Sequence, residues 1–240
     1  MTKKQTASLH DSLAHLKIIA LAITYCVYNQ LTFVVFLTAD PASYNIFKSA
    51  STIVTAAISC VFLGRCVSRQ QWAAIILQAS GLFVTQYDTC KSQMVLPKET
   101  YVLLLVLLFM TSLSGVWNEH QLKTLPMSLH QQNMVLYSAG FVLNASGHFI
   151  KSWLSDTEPG FFAGYDATSV AVVTVNACFG ITMTAVYKYA DSIMKCLANA
   201  VTTVLLLGLS CFFFGLQLNL TIAAGCLIVI VAVILYSTLS

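Results

Sequence analysis

The sequence predicts an all-α polytopic membrane protein, a helical bundle of about eight transmembrane helices with an inverted internal repeat. Three observations carry the membrane class. Of 240 residues, 58% are hydrophobic and only 9% are charged, against about 25% charged in a soluble domain. The mean hydropathy is +0.78. The apolar stretches are continuous, as in VTTVLLLGLSCFFFG from Val201 to Gly215, whereas barrel strands alternate apolar and polar residues over about ten positions.

Short polar, Gly or Pro breaks divide the chain into spans at about 17–38, 42–63, 67–87, 99–118, 130–153, 168–188, 193–214 and 219–239. Each approaches the roughly 20 residues that a hydrocarbon core requires. Residues 1–15 are polar and read as a cytosolic segment without a cleavable signal, so the first span itself directs the chain into the bilayer. Residues 16–240 form the bundle, and the whole of 1–240 is a single transmembrane domain. Counting from the N-terminal side, Lys3, Lys4, Lys17, Arg65, Arg69, Lys123 and Lys188 fall on one face of the membrane and Lys91, Lys98 and Lys151 on the other. The excess of cations places both termini in the cytosol.

Composition also excludes functions. The longest basic block is Lys3-Lys4 and the net charge is +3, so nucleic acid is not a partner. There is no Walker loop, H-E-x-x-H or G-x-S-x-G, and the sequence predicts neither an enzyme nor a bound cofactor. Cys26, Cys60, Cys66, Cys178, Cys196, Cys211 and Cys226 lie in or beside apolar runs without C-x-x-C spacing, and read as small buried hydrophobes.

A shift of 151 residues aligns Ala39-Asp40 with Ala190-Asp191, Thr52 with Thr203, Ser59-Cys60 with Ser210-Cys211, Phe62 with Phe213, Gly64 with Gly215 and Ala73 with Ala224. These eight identities in 35 positions exceed the roughly three expected by chance. Span one then maps onto span six. An odd number of crossings separates the copies, so they insert in opposite orientations, the arrangement of secondary transporters. The repeat unit also predicts two further spans ahead of the first, five plus five in all.

Polar side chains at membrane depth are costly and mark candidate sites. Span one carries Tyr25, Asn29 and Gln30; span two Tyr44 and Lys48; span five Gln131, Gln132, Asn133, Tyr137, Asn144 and His148; span seven Asp191 and Lys195. The pairs Tyr25/Asn29, Tyr44/Lys48, Asn133/Tyr137 and Asp191/Lys195 are four apart, each on one helical face. A ligand that suits Lys, carboxamides and Tyr together is anionic, with amide-like edges and a flat ring. Nucleotides have that chemistry. Plainer readings stand beside it: Lys195 pairs with Asp191 or snorkels, Asn29, Gln30, Asn144 and His148 join helices by hydrogen bonds, Glu119 pairs with Lys123 at a helix end, and Gly64, Gly81, Gly115, Gly140, Gly180 and Gly225 serve packing.

Six segments, in order, carry a resemblance: Tyr25-Cys-Val-Tyr-Asn29-Gln30, Asp40-Pro-Ala-Ser-Tyr44, Leu63-Gly-Arg-Cys-Val-Ser-Arg-Gln-Gln-Trp72, Ser114-Gly-Val-Trp-Asn-Glu119, Ser128-Leu-His-Gln-Gln-Asn133-Met-Val-Leu-Tyr137 and Lys188-Tyr-Ala-Asp-Ser-Ile-Met-Lys195. They resemble successive motifs of the nucleotide-sugar transporters, nearest to the branch of the CMP-sialic acid and UDP-galactose carriers. The resemblance implies a drug/metabolite-transporter-like helical bundle of ten helices, residence in Golgi or endoplasmic reticulum, and exchange of a cytosolic nucleotide sugar for a lumenal nucleoside monophosphate. It also implies nucleotide contacts from Tyr25, Asn29, Gln30, Tyr44, Thr111, Asn133, Tyr137 and Lys195. The chain departs from the family in lacking two leading helices and in having Ser51 where a second site lysine falls, with Lys48 one turn away. Two other readings remain: a carrier of other organic anions with the same fold, or a non-transporting relative that associates with full-length carriers. Homo- or hetero-oligomerisation is open.

Overall fold

The computed structural model describes residues 3–39, 41–90, 97–154, 164–214 and 219–239. Among them the chain forms nine helices: α1 (Lys3–Phe36), α2 (Pro41–Ser49), α3 (Ser51–Leu63), α4 (Arg69–Cys90), α5 (Lys98–Thr124), α6 (Leu129–Leu154), α7 (Ala167–Tyr189), α8 (Ser192–Phe214) and α9 (Leu220–Thr238). Six segments, Ser12–Phe36, Ser43–Leu63, Lys98–Thr124, Ala167–Tyr189, Ser192–Phe213 and Leu220–Thr238, are long and apolar enough to cross a membrane. The protein is an all-α polytopic membrane protein. Two expected spans, 67–87 and 130–153, are helices of 22 and 26 residues. At about 1.5 Å per residue both exceed the ~30 Å hydrocarbon thickness, but their glutamines and asparagines keep them out of the most apolar set.

Helix boundaries follow local chemistry. Pro41 opens α2, Pro97 precedes α5 and Pro126 lies between α5 and α6, where a missing N–H is tolerated. Ser68 and Gln71 form a reciprocal capping box at the start of α4, with the Ser68 N–H donating to Gln71 Oε1 at 2.9 Å and the Gln71 N–H to Ser68 Oγ at 3.2 Å. Ser128 and Gln131 repeat that box before α6, at 2.9 and 3.2 Å. Gln131, grouped above with the residues at membrane depth, is therefore a capping residue. Asp166 caps α7 through the Ser169 N–H at 2.7 Å, and Asp191 caps α8 through the Met194 N–H at 2.7 Å.

Two features go beyond the expected spans. The polar segment 1–15 is helical from Lys3, because it contains neither Pro nor Gly to stop propagation from the apolar run that follows. The span expected over 42–63 is two helices, interrupted at Ala50. The Ser49 hydroxyl donates to the Ile46 carbonyl at 2.6 Å, and the Ala50 N–H turns to the Phe47 carbonyl at 3.1 Å.

The chain divides into two compact units, Met1–Asn29 with Trp117–Ala190, and Gln30–Val116 with Asp191–Ser240. In the first, Ile18, Leu21, Ala22 and Leu136 form a buried cluster flanked by Tyr25 and Trp117. In the second, Ala56, Ala74, Ile75, Ile193, Leu197 and Tyr236 do so. The 151-residue repeat is visible in the second unit as element bounds. Pro41–Leu63 shifted by 151 gives Ser192–Phe214, the limits of α8, and Arg69 gives Leu220, the first residue of α9. The copies pack antiparallel. Ser59 Oγ meets Ser192 Oγ at 3.3 Å and the Cys196 thiol meets Thr55 Oγ1 at 3.7 Å across α3 and α8. Across α4 and α9, a Cβ on Gly81 would lie 2.9 Å from Ile228 Cγ2, and one on Gly225 2.8 Å from the Gly81 carbonyl. Small residues let these two backbones touch.

The glycines are not equivalent. Gly64, with φ +63°, is the left-handed cap of α3, and Gly140 has nothing within 4 Å of an added Cβ, so neither serves helix packing. The cysteines also differ from expectation. All seven are free thiols, but Cys66 and Cys178 are exposed and the other five only half-buried. Helices in lipid carry apolar side chains outward as well as inward, so an apolar run does not report burial.

Candidate functional site

In the first unit the predicted residues are organised by hydrogen bonds between helices. Tyr25 of α1 is half-buried, and its hydroxyl accepts from Asn118 Nδ2 of α5 at 3.2 Å. One turn along α5, Gln121 Nε2 donates to the Lys17 carbonyl at 2.9 Å, so α5 presents two buried carboxamides to α1. Asn29 lies one turn beyond Tyr25 and is exposed.

The most ordered polar feature joins α6 to α7. Asn133 Nδ2 donates to Thr184 Oγ1 at 2.9 Å. A Cβ on Gly180 would stand 2.8 Å from Tyr137 Oη, so the phenol rests against bare α7 backbone. Asn133/Tyr137 and Thr184/Gly180 are both pairs four apart, and in antiparallel register each meets its counterpart. Asn133 and Thr184 are buried, at 6% and 4% exposure, while Tyr137 is 43% exposed. This unit thus holds Asn133 rigidly and leaves the phenol accessible.

Sequence reasoning singled out Asn133 and Tyr137 but missed Thr184. Nothing local marks a threonine 51 residues away. The one available signal was the Gly180/Thr184 spacing on one face of α7.

An ion pair closes the end of α5. Glu119, fully buried, accepts from Lys123 Nζ at 2.8 Å, and the same ammonium donates to the Ala190 carbonyl at 2.6 Å after α7. The pairing expected from the sequence is present, with the carboxylate deeper than an interfacial site implies.

The second unit carries Gln30, Tyr44, Lys48, Thr111 and Lys195. Lys48 Nζ sits 5.8 Å from the centroid of the Tyr44 ring, within cation–π range. Tyr44 also packs against Phe36 with centroids 5.0 Å apart. The Tyr44/Lys48 pair is therefore one aromatic–ammonium group at the end of α1, with Lys48 exposed. Lys195 is half-buried in the first turns of α8. Its N–H donates to the Asp191 carbonyl at 3.1 Å, while Asp191 Oδ2 meets Arg65 Nη1 at 3.1 Å. Thr111 is half-buried on α5, its carbonyl accepting from Ser114 Oγ at 3.1 Å, and Gln30 is exposed.

Chemically, the first unit offers hydrogen-bonding carboxamides and two phenols, and the second offers two ammonium groups and a tyrosine ring. The described ion pairs, Glu119–Lys123 and Asp191–Arg65, stand beside these groups.

Comparison with known proteins agrees with this chemistry. The family described as nucleotide-sugar transporter matches residues 2–237. CMP-sialic acid transporter 2 of Oryza sativa subsp. indica is 31% identical over 218 residues, covering 90% of this chain and 61% of that protein. CMP-sialic acid transporter 4 of Arabidopsis thaliana is 30% identical over 220 residues, with 90% and 62% covered. UDP-galactose translocator 1 of Caenorhabditis elegans is 29% identical over 231 residues, with 91% and 64% covered. The chain thus spans about 61% of the length of the first of these relatives. A protein of known crystal structure shares the fold at TM-score 0.70 and 15% identity, over 96% of this chain and 87% of that one. With a family match that runs almost end to end and an all-helical membrane fold, the chain belongs to the nucleotide-sugar transporter family, whose members are transporters and not enzymes.

Proposed function

We propose that this chain exchanges a cytosolic pyrimidine nucleotide sugar, CMP-sialic acid or a UDP-sugar, for a lumenal nucleoside monophosphate across the Golgi or endoplasmic reticulum membrane, with both termini cytosolic. The relatives named for CMP-sialic acid and UDP-galactose support the substrate class. The observation that carries the reading is the family match over residues 2–237, beside a lysine, Lys195, half-buried in the first turns of α8. Ionisable groups in membrane helices mark substrate pathways.

In this reading Lys195 and Lys48 are counter-charges for phosphate. Tyr25, Tyr44 and Tyr137 stack on the base or touch the ribose, and Asn29, Gln30, Thr111 and Asn133 supply hydrogen bonds. Obligatory exchange follows from electrostatics. An empty cationic site is costly to carry through the low-dielectric membrane, a bound anionic nucleotide neutralises it, and so each crossing is made loaded.

The test uses proteoliposomes preloaded with CMP or UMP. Labelled nucleotide sugar should accumulate only in preloaded vesicles, and Lys195→Ala should abolish the accumulation. A Lys195→Ala variant that exchanges as fast as wild type would remove the assignment. Failure of both CMP and UMP to compete would favour a carrier of other organic anions.

A further inference from the structure

Among the described residues five side-chain carboxamides are buried: Gln78, Asn118, Gln121, Gln132 and Asn133. Four of them are bonded. Asn118 donates to Tyr25 Oη at 3.2 Å, Gln121 to the Lys17 carbonyl at 2.9 Å, Gln132 to the Met127 carbonyl at 3.3 Å and Asn133 to Thr184 Oγ1 at 2.9 Å. Gln78 of α4 is the exception. It is 0% exposed, and neither its Nε2 nor its Oε1 meets a hydrogen-bond partner among the described residues.

A carboxamide carries two N–H donors and an acceptor oxygen, and sealing all of them from water without a partner destabilises the conformation that does so. Such groups are rare in native proteins, and each one calls for a physical reason. The position of Gln78 supplies it. Ala74, Gln78, Gly81 and Thr85 follow at intervals of four, three and four and share one face of α4. On that face a Cβ on Gly225 of α9 would lie 2.8 Å from both the Gly81 carbonyl and the Thr85 nitrogen, so Gln78 stands one turn from the place where the two backbones touch.

An exchanger visits a second conformation in which helices have rocked against one another. A group that costs free energy in one conformation and not in the other sets the balance between them. We propose that water reaches Gln78 in the second conformation, so that its sealed, unbonded amide penalises the conformation described here and keeps the other populated. The proposal deepens the exchange reading above by naming a residue, outside the binding set, that sets how readily the carrier changes conformation.

The experiment compares wild type, Gln78→Leu, Gln78→Met and, as a control, Gln121→Leu, which deletes a buried amide that is bonded. Three properties of the full chain are measured: thermal melting, backbone hydrogen exchange without substrate, and nucleotide-sugar exchange in proteoliposomes. Both Gln78 variants should melt above wild type by about 2–12 °C, the range for relieving one unsatisfied polar group, whereas Gln121→Leu should melt below it. In the Gln78 variants the amides of residues 74–85 should exchange at least about fivefold more slowly, those of α6 should not change, and transport should slow by a similar factor. The proposal is overturned if neither Gln78 variant melts above wild type, the result expected if a water molecule is held permanently at the amide. It is also overturned if a variant that melts higher keeps the wild-type rate of α4 hydrogen exchange or of transport. If wild type moves no nucleotide sugar, the nucleotide reading fails by itself, while melting and hydrogen exchange still uphold or overturn this proposal.

Discussion

Replacing Gly225 by alanine puts one carbon where α4 and α9 already touch. The new Cβ would lie 2.7 Å from Thr85 Cγ2, 2.8 Å from the Gly81 carbonyl oxygen and 2.8 Å from the Thr85 backbone nitrogen. Two of these are backbone atoms and cannot swing aside. The third belongs to a threonine held by its hydroxyl bond to the Leu82 carbonyl at 2.7 Å. Relief therefore requires the two helices to part by roughly 0.6 Å to reach ordinary contact, and overpacking of this kind costs about 1–3 kcal/mol. Alanine also gains about 1 kcal/mol over glycine in helix propensity, so the informative quantity is the difference from a glycine-to-alanine change in open space. Gly140 and Gly208 supply it, since nothing stands within 4 Å of a Cβ at either. Gly81→Ala should fall between, because two of its three close neighbours, Ile228 Cγ2 and Val229 Cγ2 at 2.9 Å, are side-chain methyls. Thermal unfolding in detergent, followed with a thiol-reactive dye, should rank Gly225→Ala lowest, then Gly81→Ala, with Gly140→Ala and Gly208→Ala at or above wild type. At about 2–4 °C per kcal/mol for a chain of this size, the extremes should differ by several degrees. A Gly225→Ala protein that melts with Gly140→Ala would refute the close contact of α4 and α9.

Other outcomes follow from the electrostatics. Lys123→Met leaves the fully buried Glu119 carboxylate without its 2.8 Å partner and should cost about 3–5 kcal/mol, measured by the same melt, whereas adding Glu119→Gln to it should recover most of the loss. Asp166 is held below the usual carboxylate range first by the Ser169 backbone N–H and then by the Ser169 hydroxyl. Because the folded value is depressed, its contribution is complete above the ordinary ~3.9 and is lost as pH falls through the lowered value. Hydrogen exchange at Ser169 and Val170, corrected for intrinsic rates, should therefore lose protection at acid pH in wild type. In Asp166→Ala protection should be low at every pH, and an unchanged profile would remove the cap.

Much of the architecture was legible because a bilayer enforces it residue by residue. Apolar length and proline position are local, and α8, expected over 193–214, spans Ser192–Phe214. The repeat was equally readable, since a copied segment keeps its spacing. What escaped was set by partners distant in the chain. Thr184 meets Asn133 from 51 residues away, a pairing that nothing at either position announces. Gly225 and Gly140 look alike in sequence, yet one meets backbone at 2.8 Å and the other meets nothing.

The candidate site divides along the same line. Asn133, Tyr137, Tyr44, Lys48 and Lys195 stood out because polar groups are rare in apolar helices, so their identity is a property of composition and position alone. Which partners they meet was decided by tertiary structure. Thr184 is unremarkable among the chain's threonines until α7 brings it against α6, where its hydroxyl accepts from Asn133 Nδ2. Hydropathy and spacing act along one helix and can be read there. Hydrogen-bond direction depends on a partner from another helix, and it exists only once the two have packed.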